Sequence, residues 1–172
     1  MQEYLVISAI GEDKPGIINA LSQAATDSQC NIQDTRMTVL GGEFALIMLT
    51  SGSNEMISLL EQRLPDVARA HSLTTILKRT QPRPSDHSGS THQIQVDALD
   101  HPGIVKEIAS FFSDRGLNIE EMETGTYAAP HTGSPMFSLQ MVIRIPVHEN
   151  SENLLQTFTA FCDERNLDAN FD

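Results

Sequence analysis

The chain contains the same pattern twice, and an internal repeat constrains the fold more than any single motif does. The sequence Asp-Lys-Pro-Gly-Ile at 13–17 returns as Asp-His-Pro-Gly-Ile at 100–104, a shift of 87 residues. The apolar positions after each motif coincide as well, and Asn31 falls on Asn118. The 172 residues therefore predict two small domains of one design.

The repeat also sets the predicted domain boundaries. We expect a first domain over residues 1–80 and a second over residues 92–172. Residues 81–91 are rich in proline, serine and glycine, a composition typical of linkers. The chain is thus expected to consist of two domains joined by a short connecting segment.

Each copy is predicted to follow the order strand, helix, strand, strand, helix, strand. In the first copy an apolar run at 4–10 precedes a segment with helical spacing, and Gly41 with Gly42 signals a two-residue hairpin turn. Ser53 is the candidate N-cap of the second helix. The order βαββαβ favours an α+β, ferredoxin-like fold, with a four-stranded antiparallel sheet and both helices on one face.

The second copy differs from the first in its hairpin and in its last strand. Phe44 matches Phe137 at a shift of 93 rather than 87, so the second copy carries six extra residues. We expect these at 130–135, where they lengthen the hairpin loop. Apolar residues alternate at 167–171 just before the sequence stops, which predicts a short final strand.

The repeated motif lies where a strand is predicted to end and a helix to begin. Helix N-termini present unpaired N–H groups and a positive partial charge, which suit a carboxylate. Gly16 permits a close approach of the backbone to a ligand, Asp13 suits an ammonium group, and Asn31 offers an amide. With their counterparts in the second copy, these residues are the parts of an amino-acid site.

The same motif also has a purely structural interpretation. Asp-x-Pro-Gly is ordinary turn chemistry, in which the aspartate caps the helix while proline and glycine shape its start. Its recurrence does not decide between the two interpretations, because a duplicated fold inherits its turns. Both remain open at this point.

Catalytic and metal-binding patterns are not found in the sequence, so no enzyme activity and no cofactor are predicted. The six histidines lack metal-ligand spacing, and Cys30 and Cys162 lie in apolar settings without a nearby histidine partner. Glu120, Glu121 and Glu123 form an acidic cluster that is interpreted as a solvated face or, alternatively, as a divalent-ion site.

The charge of the chain argues against nucleic acid as a direct ligand. It carries 23 acidic and 11 basic residues, a net charge of −12, and residues 81–172 account for 14 of the acids and 5 of the bases. Such a surface repels phosphate backbones, and no helix-turn-helix is recognisable. The charge serves solubility or attraction to a basic partner.

Neither a membrane span nor a secretory leader is predicted. The longest apolar run, residues 44–49, is far too short to cross a bilayer, and the first residues carry no basic segment. We therefore expect a cytoplasmic protein.

At the level of whole segments, the chain resembles tandem ACT-domain proteins, and among them the glycine cleavage system transcriptional repressor family. The resemblance extends over essentially the whole chain. The segments that carry it are Tyr-Leu-Val-Ile at 4–7, Asp-Lys-Pro-Gly-Ile-Ile at 13–18, Cys-Asn-Ile at 30–32, Glu-Phe-Ala-Leu-Ile-Met-Leu at 43–49, Ser-Gly-Ser at 51–53 and Lys-Arg-Thr at 78–80.

The resemblance implies a non-enzymatic regulator that represses glycine-cleavage genes. It implies that repression runs through a LysR-type activator rather than through direct DNA binding, with a small amino acid, glycine or serine, as the signal. The residues implied to contact the effector are Asp13, Pro15, Gly16, Ile17, Asn31 and Ile32 in the first copy, and Asp100, His101, Pro102, Gly103, Ile104, Asn118 and Ile119 in the second.

Two further interpretations of the function remain. One is a detached ACT regulatory subunit that binds an amino acid and controls a metabolic enzyme. The other, less in keeping with the residues of the chain, is a small enzyme in its own right. Ferredoxin-like sheets leave edges that two-fold symmetry closes, so either homo-oligomer formation or pairing of the two copies within one chain is expected. The two copies differ at His101 and in their hairpins, so two equivalent effector sites are not expected.

Overall fold

The computed structural model describes residues 2–81 and 89–171, and the chain divides into two compact units. Unit 1 comprises Met1–Ser85 and unit 2 comprises Asp86–Asp172. Most of the predicted linker, 81–91, lies outside the described residues, and its last two residues belong to the first strand of unit 2.

Unit 1 has the predicted order βαββαβ. Its sheet has the strand order β2-β3-β1-β4, and every pair of neighbouring strands is antiparallel. The elements are β1 (Glu3–Glu12), α1 (Ile17–Asp27), β2 (Asn31–Leu40), β3 (Glu43–Gly52), α2 (Asn54–Ala70) and β4 (Thr74–Thr80).

Unit 2 repeats the architecture, with the strand order β6-β7-β5-β8, and the ferredoxin-like fold is confirmed for both units. Its elements are β5 (Ser90–Leu99), α3 (Ile104–Ser113), β6 (Ile119–Ala128), β7 (Pro135–Ile145), α4 (Ser151–Asp163) and β8 (Asp168–Phe171). The long hairpin loop spans 129–134, since Pro135 already begins β7.

Local sequence signals account for most element boundaries. Gly41 and Gly42 have φ of 60° and 89°, as a tight hairpin turn requires. The Ser53 hydroxyl accepts a hydrogen bond from the Met56 N–H at 3.4 Å, which confirms Ser53 as the N-cap of α2. Helix α2 then continues through Pro65 to Ala70, farther than its apolar spacing indicates.

The core of unit 1 lies between the two helices and one face of the sheet. Alternate residues of β1 and β3 point to this face, while α1 and α2 contribute apolar stripes at helical spacing. The fully buried members include Leu5, Ile7, Ile17, Leu21, Phe44, Met48, Ile57, Leu60 and Leu64.

The core of unit 2 is aromatic where the core of unit 1 holds alanine. Phe111 and Phe112 on α3 occupy the positions of Ala24 and Ala25 on α1. The ring centroid of Phe158 on α4 lies 4.9 Å from those of both Phe111 and Phe112. In the core of unit 2, rings therefore occupy the positions at which the core of unit 1 has alanine side chains.

Both cysteines are buried, as their apolar settings predict. Burial raises the pKa of the Cys162 thiol to about 12. The thiol therefore stays protonated at neutral pH and is a packing group rather than a nucleophile. Within the described ranges, no helix has both the length and the apolar character needed to cross a bilayer.

The left-handed backbone conformation at Gly16 leads to a prediction about the free energy of unfolding. Its φ is 96°, and a Cβ at this position would meet no atom within 4 Å, so only the backbone conformation disfavours a side chain. We expect Gly16→Ala to lower the free energy of unfolding by roughly 1–3 kcal/mol, as measured by urea titration.

Gly125→Ala is the matched control, because Gly125 also has open space around a Cβ but no positive φ. The Gly125→Ala substitution should leave the free energy of unfolding unchanged or raise it slightly. Equal losses in the two variants would contradict the conformational explanation.

Candidate functional site

In both units the repeated motif connects the first strand to the first helix and ends in a glycine N-cap. Gly16 precedes α1 with φ of 96°, and Gly103 precedes α3 with φ of 106°. The first intrahelical bond of α1 runs from the Ala20 N–H to the Gly16 oxygen at 2.9 Å. The N–H groups of residues 17–19 therefore have no acceptor within the helix.

The aspartates of the motif do not cap these helices. No side chain caps α1 or α3, so the capping part of the turn interpretation is not observed. Instead the Asp13 N–H donates to the Gly42 oxygen at 3.1 Å, and the Asp100 N–H donates to the Pro135 oxygen at 2.9 Å. These bonds fix each loop to the adjacent hairpin, while both aspartates remain exposed.

The remaining loop residues divide into buried and exposed groups. The side chains of Ile17 and Ile104 are 1% and 2% exposed and belong to the cores. Only their backbone N–H groups face the loop end of the helix. Pro15, Pro102 and His101 are exposed, and the His101 ring Nδ1 lies 3.2 Å from the Pro102 oxygen.

The sheet separates Asn31 from the Asp13–Gly16 loop. Asn31 begins β2 and pairs with Ser51, which pairs in turn with Tyr4 near the start of β1. The loop follows the opposite end of β1, roughly 25 Å away at about 3.3 Å per residue. A small amino acid therefore cannot contact Asn31 and this loop within one unit.

Unit 2 shows the same separation. Asn118 immediately precedes β6, and Ile119 pairs with Ile143, which lies opposite His92 near the start of β5. The Asp100–Gly103 loop follows the other end of β5. The structure thus groups the loop residues of each unit and places Asn31, Ile32, Asn118 and Ile119 at the far ends of the sheets.

One difference between the two loops bears directly on carboxylate binding. The first turn of α3 carries Glu107, whereas α1 has no acidic residue in its first turn. A Glu107 carboxylate oxygen lies 4.0 Å from the position of a Cβ on Gly103. The residue at the same place in unit 1 is Ala20. Negative charge therefore already stands beside the N-terminus of α3.

An ion pair across the helices holds Glu107 in this position. Its carboxylate lies 3.3 Å from the Arg165 guanidinium of α4, which stacks on the Phe161 ring with 3.9 Å to the centroid. Arg115 stacks on Phe111 in the same manner. The two stacks line a groove of about 670 Å³ between α3 and α4 that reaches Gly103.

Sequence reasoning did not identify Glu107 or the two arginines. Their signal is visible once the two copies are aligned, because Ala20 and Glu107 differ at the shift of 87. The pattern Phe-x-x-x-Arg also occurs at 111–115 and again at 161–165. Positions four apart on a helix are neighbours, which allows the stacking.

The acidic cluster at the start of β6 is tied into the sheet. The Glu120 carboxylate accepts hydrogen bonds from Arg144 at 2.9 and 3.2 Å. Among residues 2–81 and 89–171, no group of three or more His, Cys, Asp or Glu side chains is placed to hold a metal ion.

The sequence of the chain matches known proteins over both units. ACT-domain profiles match residues 3–78 and 92–127. The glycine cleavage system transcriptional repressor of Escherichia coli (strain K12) is 35% identical over 165 residues, which cover 96% of this chain and 87% of the relative. The Shigella flexneri protein of the same name matches to the same extent.

Solved structures agree in architecture. A crystal structure provisionally described as a glycine cleavage system transcriptional repressor superposes with a TM-score of 0.75 at 30% identity, covering 100% of this chain and 97% of the other. A protein of unknown function from Galdieria sulphuraria gives a TM-score of 0.79 at 26% identity, with coverages of 100% and 98%. With two ACT units and a relationship that spans nearly its whole length, the chain belongs to the glycine cleavage system transcriptional repressor family.

Proposed function

We propose that the protein is a non-enzymatic repressor of glycine-cleavage genes that senses a small amino acid and acts through a partner activator. The observation that carries the proposal is the 35% identity over 96% of the chain to a repressor of this name. The sensing step is assigned to the loop that connects β1 to α1.

The carboxylate of the effector binds at the N-terminus of α1. Three N–H groups, those of Ile17, Ile18 and Asn19, point out of the first turn without an intrahelical acceptor, and no side chain caps them. Aligned peptide dipoles add a positive partial charge at this point. A carboxylate is the group that such a helix end favours.

The ammonium group of the effector is assigned to the Asp13 carboxylate. Asp13 is exposed at the start of the same loop, and its own N–H is held by the Gly42 oxygen, so its position relative to the helix is fixed. An opposite charge on each side of a short loop matches the ammonium and carboxylate groups that an α-amino acid carries on one carbon. This supports an α-amino acid as the effector.

The loop of unit 2 is a poorer carboxylate site than the loop of unit 1. Glu107 already supplies a carboxylate beside Gly103, and the guanidinium that it pairs with, that of Arg165, is therefore already engaged by a carboxylate of the protein. Ala20 leaves the corresponding position in unit 1 uncharged. Within each unit, Asn31, Ile32, Asn118 and Ile119 lie too far from the loop to contact a ligand bound there, so their role stays a prediction.

Repression is assigned to contact with a LysR-type activator, as the resemblance to the repressor family implies, and the charge of the chain agrees with this assignment. Its net charge of −12 opposes the phosphate backbone. Glycine then affects repression only if it binds the activator-bound and free forms of the protein with different affinity. No described feature favours the regulation of an enzyme over this function.

Calorimetric titration with glycine tests the site when it is carried out on a variant in which unit 1 receives a residue that unit 2 has at the same position. Ala20→Glu gives α1 the carboxylate that α3 has, and we expect it to weaken glycine binding at least about fivefold, since a nearby like charge costs about 1 kcal/mol or more.

Glu107→Ala is the matched control and should leave glycine binding by unit 1 unchanged. Serine is titrated in parallel to compare the two effectors. The site assignment is wrong if the wild-type protein binds neither amino acid, or if Glu107→Ala abolishes binding while Ala20→Glu retains it.

Co-purification with a LysR-type activator of glycine-cleavage genes tests the partner. We expect the two purified proteins to co-elute and the chain alone to leave operator DNA unshifted at physiological salt. Because coupling is reciprocal, the activator should change the affinity for glycine by the same factor by which glycine changes the affinity for the activator.

Ala20→Glu is the control variant here, since it should still bind the activator but lose its response to glycine. A DNA shift by the chain alone would contradict the proposal. Recovery from cell extract of a metabolic enzyme in place of the activator would favour the regulatory-subunit alternative.

A further inference from the structure

The groove of about 670 Å³ between α3 and α4 belongs to unit 2, whereas amino-acid sensing is assigned to a loop of unit 1. We refer to it as the α3/α4 groove. The rings of Phe111 and Phe161 line it with their centroids 4.9 Å apart, and charged side chains of both helices line it as well. A volume of this size is typical of a pocket for a small molecule.

Unit 1 has an ion pair across its helices at the corresponding place. The Arg63 guanidinium of α2 lies 3.5 Å from the Asp27 carboxylate at the end of α1. At the shift of 87, Asp114 matches Asp27, and at a shift of 94, Thr157 matches Arg63. The shift of 94 also aligns the buried residues of the two helices, which are Leu60, Leu64 and Ala68 in α2 and Leu154, Phe158 and Cys162 in α4. Threonine cannot form the ion pair, so Asp114 has no cationic partner at this position of α4.

Basic residues gather in the α3/α4 groove although unit 2 is acidic. The described part of unit 2 contains four of them, and Lys106, Arg115 and Arg165 line the groove. The fourth, Arg144, forms an ion pair with Glu120 of the sheet. Acidic residues thus outnumber basic ones in the unit as a whole but not in the groove. A ligand with a negative charge is repelled least at this part of the unit.

Arg165 presents the face of its guanidinium to the groove rather than its N–H groups. The guanidinium lies 3.3 Å from Glu107 and 3.5 Å from Glu164, so carboxylates of the protein already engage its N–H groups. One of its faces stacks on Phe161. The side chain is 37% exposed, which leaves the other face open to an aromatic ring.

Arg115, in contrast, keeps N–H groups free for a carboxylate. Its guanidinium stacks on Phe111 with 3.7 Å to the centroid and donates to the Phe111 oxygen at 2.8 Å, which fixes its position. Among the described residues, no carboxylate lies within ion-pair distance of Arg115 or Lys106. Asp114 is the remaining unpaired charge of the lining, so the charges left for a ligand are two positive and one negative.

We propose that the α3/α4 groove binds a small molecule that carries an aromatic ring and a carboxylate. The carboxylate pairs with Arg115 through two parallel N–H groups, and the ring stacks on the open face of Arg165. Each guanidinium lies within 4 Å of a phenylalanine ring, and these two rings are 4.9 Å apart, so one small molecule reaches both. The excess of one positive charge matches a single carboxylate.

Fluorescence titration of the full chain with indole-3-acetate tests the proposal. The chain contains no tryptophan, so indole emission belongs to the probe alone, and its anisotropy rises when the probe binds. We expect saturable binding. Indole, which lacks the carboxylate, should bind at least about tenfold more weakly, because the hydrogen bonds to a charged group are lost.

Two substitutions in the lining should change the affinity in opposite directions. Arg115→Gln removes the partner of the carboxylate and should weaken binding of indole-3-acetate at least about tenfold. Asp114→Asn removes a like charge beside the carboxylate and should strengthen binding about fivefold. Asp114 is the C-cap of α3, where loss of a negative charge does not disfavour the helix, so this second variant should fold.

Arg69→Gln is the matched control, because Arg69 is an exposed arginine on α2 of unit 1 and its loss changes the net charge equally. It should bind the probe as the wild type does. Ala20→Glu should do so too, which separates this groove from the proposed amino-acid site.

The proposal is overturned if the wild type does not bind indole-3-acetate or if Arg115→Gln, shown to be folded by circular dichroism, binds it as tightly. It is overturned equally if Asp114→Asn binds the probe less tightly, or if Arg69→Gln loses as much affinity as Arg115→Gln.

Discussion

Each unit is held together by the burial of two apolar helix stripes against one face of a four-stranded antiparallel sheet. This packing fixes where the functional groups lie, because the loop from the first strand must turn sharply to bring the first helix back over the sheet. Gly16 and Gly103 make that turn with positive φ. The helix ends that they produce remain uncapped by side chains and supply the free N–H groups on which the proposed sensing function depends.

The two units serve as an internal comparison, since they share a backbone and differ in the residues it presents. Ala20 and Glu107 occupy the same place beside the uncapped helix end, and in the proposed function this difference distinguishes the two loops as carboxylate sites. Ile47 and Gln140 likewise occupy the same sheet position and differ in polarity. The proposed effector site lies in unit 1.

Much of the architecture could be predicted from the sequence because the determining signals are local. The repeated Asp-x-Pro-Gly motif and the Gly41-Gly42 turn place the strand ends, and the Ser53 cap begins α2 as expected. Other features depend on three-dimensional neighbours. Asn31 follows α1 closely in sequence, yet the helix returns the chain to the far end of the sheet, away from the loop.

The roles of single residues were harder to predict from the sequence than the architecture of the two units. An aspartate shortly before a helix is a candidate cap, but Asp13 and Asp100 lie four residues before the first helical residue, and glycine takes the N-cap position. Backbone hydrogen bonds to Gly42 and Pro135 hold the two loops in this arrangement. Glu107 is set beside Gly103 by Arg165, which lies 58 positions later and on another helix. Such contacts follow from packing and leave no trace in a local motif.

The proposed sensing function requires that the uncapped N-terminus of α1 bind the carboxylate of an amino acid. Backbone amide chemical shifts, followed by NMR during titration with glycine, report on this binding directly because the amides of Ile17, Ile18 and Asn19 are the proposed donors. We expect saturable shifts at these three amides and smaller ones at Ile104 and Val105 of α3. Shifts confined to α3, or none at either helix end, would contradict it.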